Sequence, residues 1–163
     1  MPTKRIRHLG AVGLGAAVLL AAAYWAASAP ATGSRLAAES AEASSMIVSD
    51  WNAIAQAETV LLRPTAHGQT RGIAMVEGAV YDAVNAIDRG YHSYLLDLHE
   101  IDADPSGSQG AAAATAAYRV LRAITPPARH AGLDASYMAT LATIPDGPAE
   151  QEGVGAGEAA AAA

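Results

Sequence analysis

A regular apolar stripe between residues 73 and 87 constrains the fold of this chain more than any other feature. Its members recur at the spacing of one face of an α-helix. They are Ile73, Val76, Val80, Ala83, Val84 and Ile87. An Asp-Arg-Gly stop follows at 88–90, and Tyr91 and Tyr94 come next in a segment typical of an ordered loop. The pattern predicts an amphipathic helix at residues 70–87 that ends in a structured turn.

The side of this helix opposite the stripe is small and polar. It carries Arg71, Ala74, Gly78, Asp82 and Asn85. The small residues Ala74 and Gly78 would let a second helix approach closely, so we expect a helix that is packed on two sides. Four polar side chains are predicted to contact a neighbouring helix, with a substrate contact as the alternative. These four are Glu77, Tyr81, Asp82 and Asn85.

The rest of the chain also predicts helices, so the expected fold class is all-α, a bundle of about four to five helices. Ser49 is expected to cap the first helix of the bundle and Arg63-Pro64 to end it. A third helix starts at about Ser106 and breaks at the Pro-Pro pair 126–127. Its buried face should hold Ala114, Ala117, Tyr118, Leu121 and Ile124. A fourth helix has the stripe Leu133, Tyr137, Leu141 and Ile144, and Pro148 opens a fifth.

The fifth predicted helix has no recognisable end. It runs into Glu158 and then five alanines, without a Gly or Asn cap, a basic last turn or packing residues. We interpret this end as that of a truncated chain, and the alternative is a natural end whose last turn frays. Residues 46–163 are accordingly expected to form an N-terminal helical domain that is incomplete at its C-terminus.

Residues 1–29 have the composition of an export signal. Basic residues precede an apolar run at 9–25, and Ala27-Ser28-Ala29 offers a site for signal peptidase. An uncleaved membrane anchor through residues 9–29 is the alternative, because about 20 apolar residues can span a bilayer. Either interpretation predicts an exported protein, secreted or held in the periplasm or cell envelope. The small and polar residues 30–45 are expected to form a flexible linker.

Composition excludes several classes of function. The net charge is −6 and the ten basic residues are scattered, which argues against nucleic acid as a partner. The chain has no cysteine, so disulfides, thiolate nucleophiles and Cys-based zinc sites are excluded. Its one lysine, Lys4, lies in the leader, so a cleaved chain would have no lysine for a Schiff base. Alanine accounts for much of the 52% hydrophobic content, and Phe is absent.

An acidic segment at residues 97–104 is the main candidate for a metal site. Asp102, Asp104, Ser106 and Gly107 match the opening Asp-x-Asp-x-Ser-Gly of a calcium loop, although Ala113 stands where the closing Glu should be. A transition metal could instead bind through His99, with carboxylates from Asp97, Glu100, Asp102 and Asp104, and His92 is close enough in sequence to join. The candidate metal ligands are therefore Asp102, Asp104 and His99, and the alternative is a solvated acidic loop. His67 and His130 are isolated from any recognisable nucleophile.

Four sequence blocks, taken in order, carry a resemblance to a known family. They are SDWNAIAQ at 49–56, YDAVNAID at 81–88, YRVL at 118–121 and IPDGPA at 144–149. As a set they resemble the N-terminal region of bacterial vanadium-dependent haloperoxidase-like proteins, in the type 2 phosphatidic acid phosphatase superfamily. The resemblance covers the chain from about Val48 onward. Glu77 departs from the family pattern, which more often has His at this position.

The resemblance implies an oxyanion pocket made of a Lys, two Arg, a Ser-Gly-His triplet and a later catalytic His, all in the half that follows this region. Arg63-Pro64 lacks the upstream lysine, and Ser108 stands where Pro105-Ser106-Gly107 should lead to His. No catalytic or cofactor-binding residue is therefore assigned, and vanadate is expected only in a full-length relative.

The resemblance implies a helical scaffold of a secreted haloperoxidase-like or acid-phosphatase-like protein, inactive alone. Whether the chain is an enzyme stays open at this point. A non-enzymatic secreted module that binds a protein partner is the alternative, and a small metal-dependent enzyme using the acidic loop is a third hypothesis. A helical bundle that lacks some of its helices would expose an apolar face that those helices otherwise cover. A missing C-terminal helical half, a partner helix surface or a second copy in a homo-oligomer could cover it.

Overall fold

The computed structural model describes residues 15–62, 65–95, 101 and 103–163. These segments contain five α-helices and no strand, which confirms the predicted all-α fold class. The helices are α1 (Gly15–Leu62), α2 (Ala66–Asp88), α3 (Gln109–Ile124), α4 (Pro127–Leu141) and α5 (Pro148–Ala162). Pro148 occupies the first turn of α5, as predicted. Gly147 before it has φ 151°, a conformation that favours glycine.

The chain divides into two compact units, Met1–Ser40 and Ala41–Ala163. In the first unit, Arg35 and Glu39 form an exposed i,i+4 ion pair, which contributes little to stability. The described residues include no helix that is long and apolar enough to cross a membrane. The second unit contains the bundle.

The start of the first bundle helix differs from the prediction. Residues 30–45, predicted to be a flexible linker, lie within α1, and so does Ser49, the predicted N-cap. Five of these sixteen residues are alanine, which has the highest intrinsic helix propensity, so the helix continues through the small polar residues that suggested a linker. Residues 1–14 of the predicted signal or anchor, and Arg63-Pro64, lie outside the described residues.

Helix α3 is the centre of the bundle. It packs against α2, α4 and α5, and eleven of its sixteen residues are buried. The predicted face, at Ala114, Ala117, Tyr118 and Leu121, is indeed buried, but so is every residue from Gly110 to Ala117. Ile124 is half-buried. A helix buried on nearly all sides must have small residues where neighbours approach most closely, and alanine fills that role here.

Close approach between α3 and α5 depends on glycine. A Cβ on Gly153 would lie 2.3 Å from the carbonyl oxygen of Ser108, and one on Gly157 would lie 2.6 Å from that of Ala112. Gly153, Ala156, Gly157 and Ala160 form the buried face of α5. We predicted that the end of this helix, residues 158–163, has no packing residues, and the buried Ala160 contradicts that prediction. The packing residues of α5 are small, because the α3 backbone leaves no room for larger ones.

Helix α2 has well-defined ends. The Thr65 hydroxyl accepts a hydrogen bond from the Gly68 amide at 3.2 Å, so the helix begins earlier than predicted. Arg89 ends it in the left-handed conformation, with φ 55°. The predicted stop at 88–90 is thus confirmed, although the left-handed residue is Arg89 and not the adjacent glycine. The Arg89 guanidinium donates to the carbonyl oxygens of Ile101 and Ala103, at 3.4 and 3.2 Å.

Candidate functional site

The polar side of α2 holds the loop that follows the helix. Asp82 is almost fully buried, and its carboxylate accepts hydrogen bonds from the backbone amides of Tyr94 and Leu95, at 2.5 and 2.7 Å. One turn further along, Asn85 binds Tyr91 twice. Its side-chain amide donates to the Tyr91 carbonyl at 2.7 Å, and its carbonyl oxygen accepts from the Tyr91 amide at 3.0 Å. Both side chains therefore fold the chain back onto α2.

Tyr81 completes this arrangement, because its hydroxyl donates to the His92 carbonyl at 2.9 Å. These hydrogen bonds of Tyr81, Asp82 and Asn85 go to the loop, and a contact of the same side chains with a neighbouring helix stays a prediction. The predicted second helix over Ala74 and Gly78 is replaced by the loop. A Cβ on Gly78 would lie 3.5 Å from Cδ1 of Tyr94. The turn at Arg89 explains the difference, since it directs the loop back along the polar side.

Replacing Asp82 with alanine is expected to release the second half of the loop. The amides of Tyr94 and Leu95 would lose their acceptors, and exchange there should accelerate about tenfold or more, since such a bond contributes on the order of 1–3 kcal/mol. Asn85→Ala should instead accelerate exchange at Tyr91. Hydrogen exchange followed by NMR distinguishes the two patterns. The exposed Asp88→Ala is the control, and unchanged exchange at Tyr94 and Leu95 in Asp82→Ala would contradict the assignment.

Glu77 lies between two cavities on this side of α2. One cavity has a volume of about 470 Å³ and is lined by Ala74, Glu77, Gly78, Tyr81, His92, Ser93 and Tyr94. The other has a volume of about 340 Å³ and is lined by Val48, Glu77, Val80, Tyr81, Val84, Asn85, Asp88 and Tyr91. Glu77 is half-buried. Within the described part of the chain, its carboxylate has no hydrogen-bond or ion-pair partner.

The acidic segment is described only in part. The candidate ligands His99 and Asp102, with Asp97 and Glu100, lie outside the described residues. The Asp104 carboxylate accepts a hydrogen bond from the Ser106 amide at 2.8 Å, which lowers the pKa of that carboxyl group. Among the residues that the structure describes, no three His, Asp or Glu side chains gather as metal ligands would. Ser108 caps α3 by accepting from the Ala111 amide, as expected for a loop that enters a helix.

A second polar cluster surrounds three aromatic rings in the interior. Trp51 of α1 meets Tyr118 and Tyr137 edge-on, with ring centroids 6.4 and 6.5 Å apart. The two tyrosine rings stack on each other at 4.3 Å. The Tyr137 hydroxyl lies 2.9 Å from that of Thr115, and the Trp51 ring nitrogen donates to the Thr140 hydroxyl at 3.3 Å. These contacts join α1, α3 and α4.

Asp134 accepts hydrogen bonds from the edge of this cluster. The Tyr118 hydroxyl donates to it at 2.8 Å, and Arg122 donates at 2.5 Å. The first of these bonds, followed by the Arg122 pairing, lowers the pKa of the Asp134 carboxyl. Burial, together with the bond to Asp134, raises the pKa of Tyr118. Sequence analysis missed Asp134 and Arg122, since they lie 12 residues apart and on different helices.

The lowered pKa of Asp134 predicts a defined pH dependence of stability. The folded protein keeps this carboxylate ionised where the unfolded chain has already protonated it. The contribution of the Asp134 carboxylate to the free energy of unfolding is therefore complete above its pKa in the unfolded chain, about 3.9. This contribution is lost as the pH falls through the lower pKa of Asp134 in the folded protein. Asp134→Asn should destabilise the protein at about pH 6 but differ less from wild type at about pH 3.

Urea unfolding of wild type and Asp134→Asn at both pH values measures this difference. The exposed Asp146→Asn serves as control and should follow wild type throughout. If the difference in unfolding free energy between wild type and Asp134→Asn stays constant from neutral to acid pH, the ionised carboxylate does not contribute to stability as described.

The remaining ion pairs join helices. Glu58, buried on α1, binds Arg129 of α4 through two bonds, at 2.9 and 2.5 Å. Arg119 of α3 pairs with Glu158 of α5. His130 contacts the carbonyl oxygen of Thr125 at 3.1 Å. These side chains therefore contribute to packing within the bundle. His67 lines a separate cavity of about 370 Å³.

The fold is therefore that of an all-α helical bundle, and two cavities are lined by residues of α2 and the loop after it. No family model, no curated protein and no solved structure matched this chain in the three comparisons made.

Proposed function

We propose that this chain is a helical scaffold of an exported haloperoxidase-like or acid-phosphatase-like protein and carries no oxyanion site of its own. The supporting observation is that the resembling sequence blocks make contacts within the bundle and with the loop after α2. Trp51 of the first block packs on Tyr118 of the third. Asp82 and Asn85 of the second hold the loop after α2, and the fourth block connects α4 to α5.

A packing role gives a physical reason for these residue types to occur together. Trp51 is almost fully buried, so its indole must match the tyrosine stack in shape. In the fourth block, Ile144 approaches Gly110 of α3, where a Cβ would lie 3.7 Å from its Cδ1. These contacts with α3 support a packing role for the first and fourth blocks.

The ion pairs of three arginines support the proposal that the described residues hold no oxyanion site. A trianionic vanadate or phosphate is held by several cations at once. Arg119, Arg122 and Arg129 are instead paired with Glu158, Asp134 and Glu58, respectively. We expect the chain alone to bind no vanadate, to oxidise no halide with peroxide and to hydrolyse no phosphate monoester.

Sequencing the locus downstream of the codon for Ala163 tests the proposal directly. An in-frame or adjacent reading frame with Arg-Pro, Pro-Ser-Gly-His and Arg…Gly-x-His blocks would support it. A stop codon with no such blocks nearby would reject it. Vanadium NMR then measures whether the chain alone broadens or shifts the vanadate signal. Saturable vanadate binding by the chain alone would contradict the scaffold assignment.

A non-enzymatic binding module is the second candidate, and the exposed aromatic side chains favour it. Tyr91 and Tyr94 are 72% and 73% exposed, and Leu95 beside them is 65% exposed. Exposed apolar groups that lie together mark interaction sites more often than isolated ones do. This function would be preferred if the locus carries no oxyanion-binding blocks.

A further inference from the structure

The larger cavity beside α2 is lined by small and aromatic residues, with Glu77 among them. We refer to Ala74 and Gly78 as its floor and to Tyr81 and Tyr94 as its walls. Its volume of about 470 Å³ lies within the usual range for small-ligand sites. The floor depends on Gly78, because a side chain larger than methyl would fill the space beneath the Tyr94 ring.

The charge in this cavity comes from Glu77. Carboxylates at Glu58, Asp134 and Glu158 each pair with an arginine. Glu77 has no such partner among the described residues, although it is half-buried and lines both cavities. Removing a carboxylate from water is unfavourable unless a cation or donor compensates it. A ligand that supplied a positive charge would provide this compensation.

The aromatic walls favour the same kind of ligand. Tyrosine faces attract organic cations through their ring quadrupoles, by on the order of 0.5–2 kcal/mol per ring. The Tyr81 side chain and the Tyr94 backbone are held before any ligand binds, since the Tyr81 hydroxyl donates to the His92 carbonyl and the Tyr94 backbone amide donates to Asp82. Such preorganisation reduces the entropy lost on binding.

We propose that this cavity binds a small organic cation, an alkylammonium or quaternary ammonium group, with Glu77 as counter-charge and Tyr81 and Tyr94 as aromatic walls. An anion would be repelled by Glu77, and a neutral apolar ligand would leave the carboxylate uncompensated. The inference is independent of the scaffold function, because it rests on residues of α2 and its loop alone.

The probe is choline, titrated into the full chain and followed by amide chemical shifts at about pH 8, where histidine side chains are generally neutral. We expect saturable shifts at residues 77–81 and 92–94, with a dissociation constant of about 1–10 mM. The neutral isostere 3,3-dimethylbutan-1-ol, which has the same shape without the charge, should bind at least about tenfold more weakly. Equal binding of the two compounds, or no saturable shift with choline, would overturn the proposal.

Variants locate the site. Glu77→Gln keeps the shape and should weaken choline binding about tenfold, while Glu42→Gln, on an exposed part of α1, should not. Gly78→Leu should abolish binding by filling the floor. Tyr94→Phe should retain binding and Tyr94→Ala should lose it, since only the ring is used. Unchanged affinity in Glu77→Gln, with the fold verified by amide spectra, would rule out this cavity.

Discussion

Replacing Gly157 with leucine is expected to displace α5 from the bundle, and even Gly157→Ala should lower the free energy of unfolding by about 2 kcal/mol. The added Cβ would lie 2.6 Å from both the Ala112 carbonyl oxygen and the Thr115 Cβ, and 3.0 Å from the Ala116 amide nitrogen. Two of these three atoms belong to the backbone of α3, so no side-chain rotation can relieve the contact. The helices would have to separate.

Gly155 offers a matched control two residues away on the same helix. It is exposed, and a Cβ there would have no neighbour within 4 Å. Gly155→Ala should therefore stabilise the protein by about 0.5–1 kcal/mol, through helix propensity alone. If α5 packs as described, urea unfolding gives changes of opposite sign in the free energy of unfolding for Gly157→Ala and Gly155→Ala. Equal stability of Gly157→Ala and Gly155→Ala would mean that the close contact with α3 does not form.

Trp51→Ala is expected to destabilise the bundle by about 3–5 kcal/mol, as other large-to-small changes at buried aromatic residues do. Trp51 is only 1% exposed and packs against Tyr118 and Tyr137. Few large side chains share this interior, because the core consists mainly of alanine. The loss is therefore a large part of a total stability of about 5–15 kcal/mol.

Two milder changes separate the indole ring from its hydrogen bond. Trp51→Phe keeps an aromatic ring and should be less damaging than alanine. Thr140→Val removes the acceptor of the Trp51 ring nitrogen and should cost about 1 kcal/mol. Met46→Ala, exposed on the same helix, should lie within about 0.5 kcal/mol of wild type. Denaturant unfolding followed by circular dichroism measures all four variants, and a Trp51→Ala loss no greater than that of Met46→Ala would contradict the core assignment.

The packing of α3 and α5 bears on any scaffold function. A scaffold must hold whatever is attached to it at a fixed position, and close backbone contact between helices leaves little freedom for sliding. The contacts at Gly153 and Gly157 thus make this pair a rigid part of the bundle. The loop after α2 is held by hydrogen bonds instead, and it carries the exposed tyrosines.

The sequence predicts most clearly those features that depend on local patterning. The stripe on α2 was assigned correctly at Val76, Val80, Ala83 and Ile87, which are buried, while Ile73 and Val84 are half-buried. The stop at residues 88–90 and the first turn at Pro148 were also predicted. The stripe, the stop and the first turn each follow from side-chain periodicity or from the backbone preference of one residue. None of the three needs a residue distant in the chain.

Prediction fails where alanine and glycine are the packing residues. They bury little apolar area, so their burial leaves no hydrophobic period in the sequence. The start of the first bundle helix was misplaced for a related reason, since helix propensity continues through the small residues before Ser49. The sequence predicts polar contacts for Asp82 and Asn85, but the loop residues that they bind depend on the left-handed turn at Arg89.

Local sequence patterns are enough to predict that the chain is helical and where several helices stop, because propensity, periodicity and caps act over a few residues. The central position of α3, the packing of α5 through its glycines and the loop on the polar side of α2 are seen only in the folded chain. Those outcomes depend on distances between residues far apart in the chain, such as the contact of Gly153 with Ser108. Such distances are set by how the backbones fit together, which no local pattern encodes.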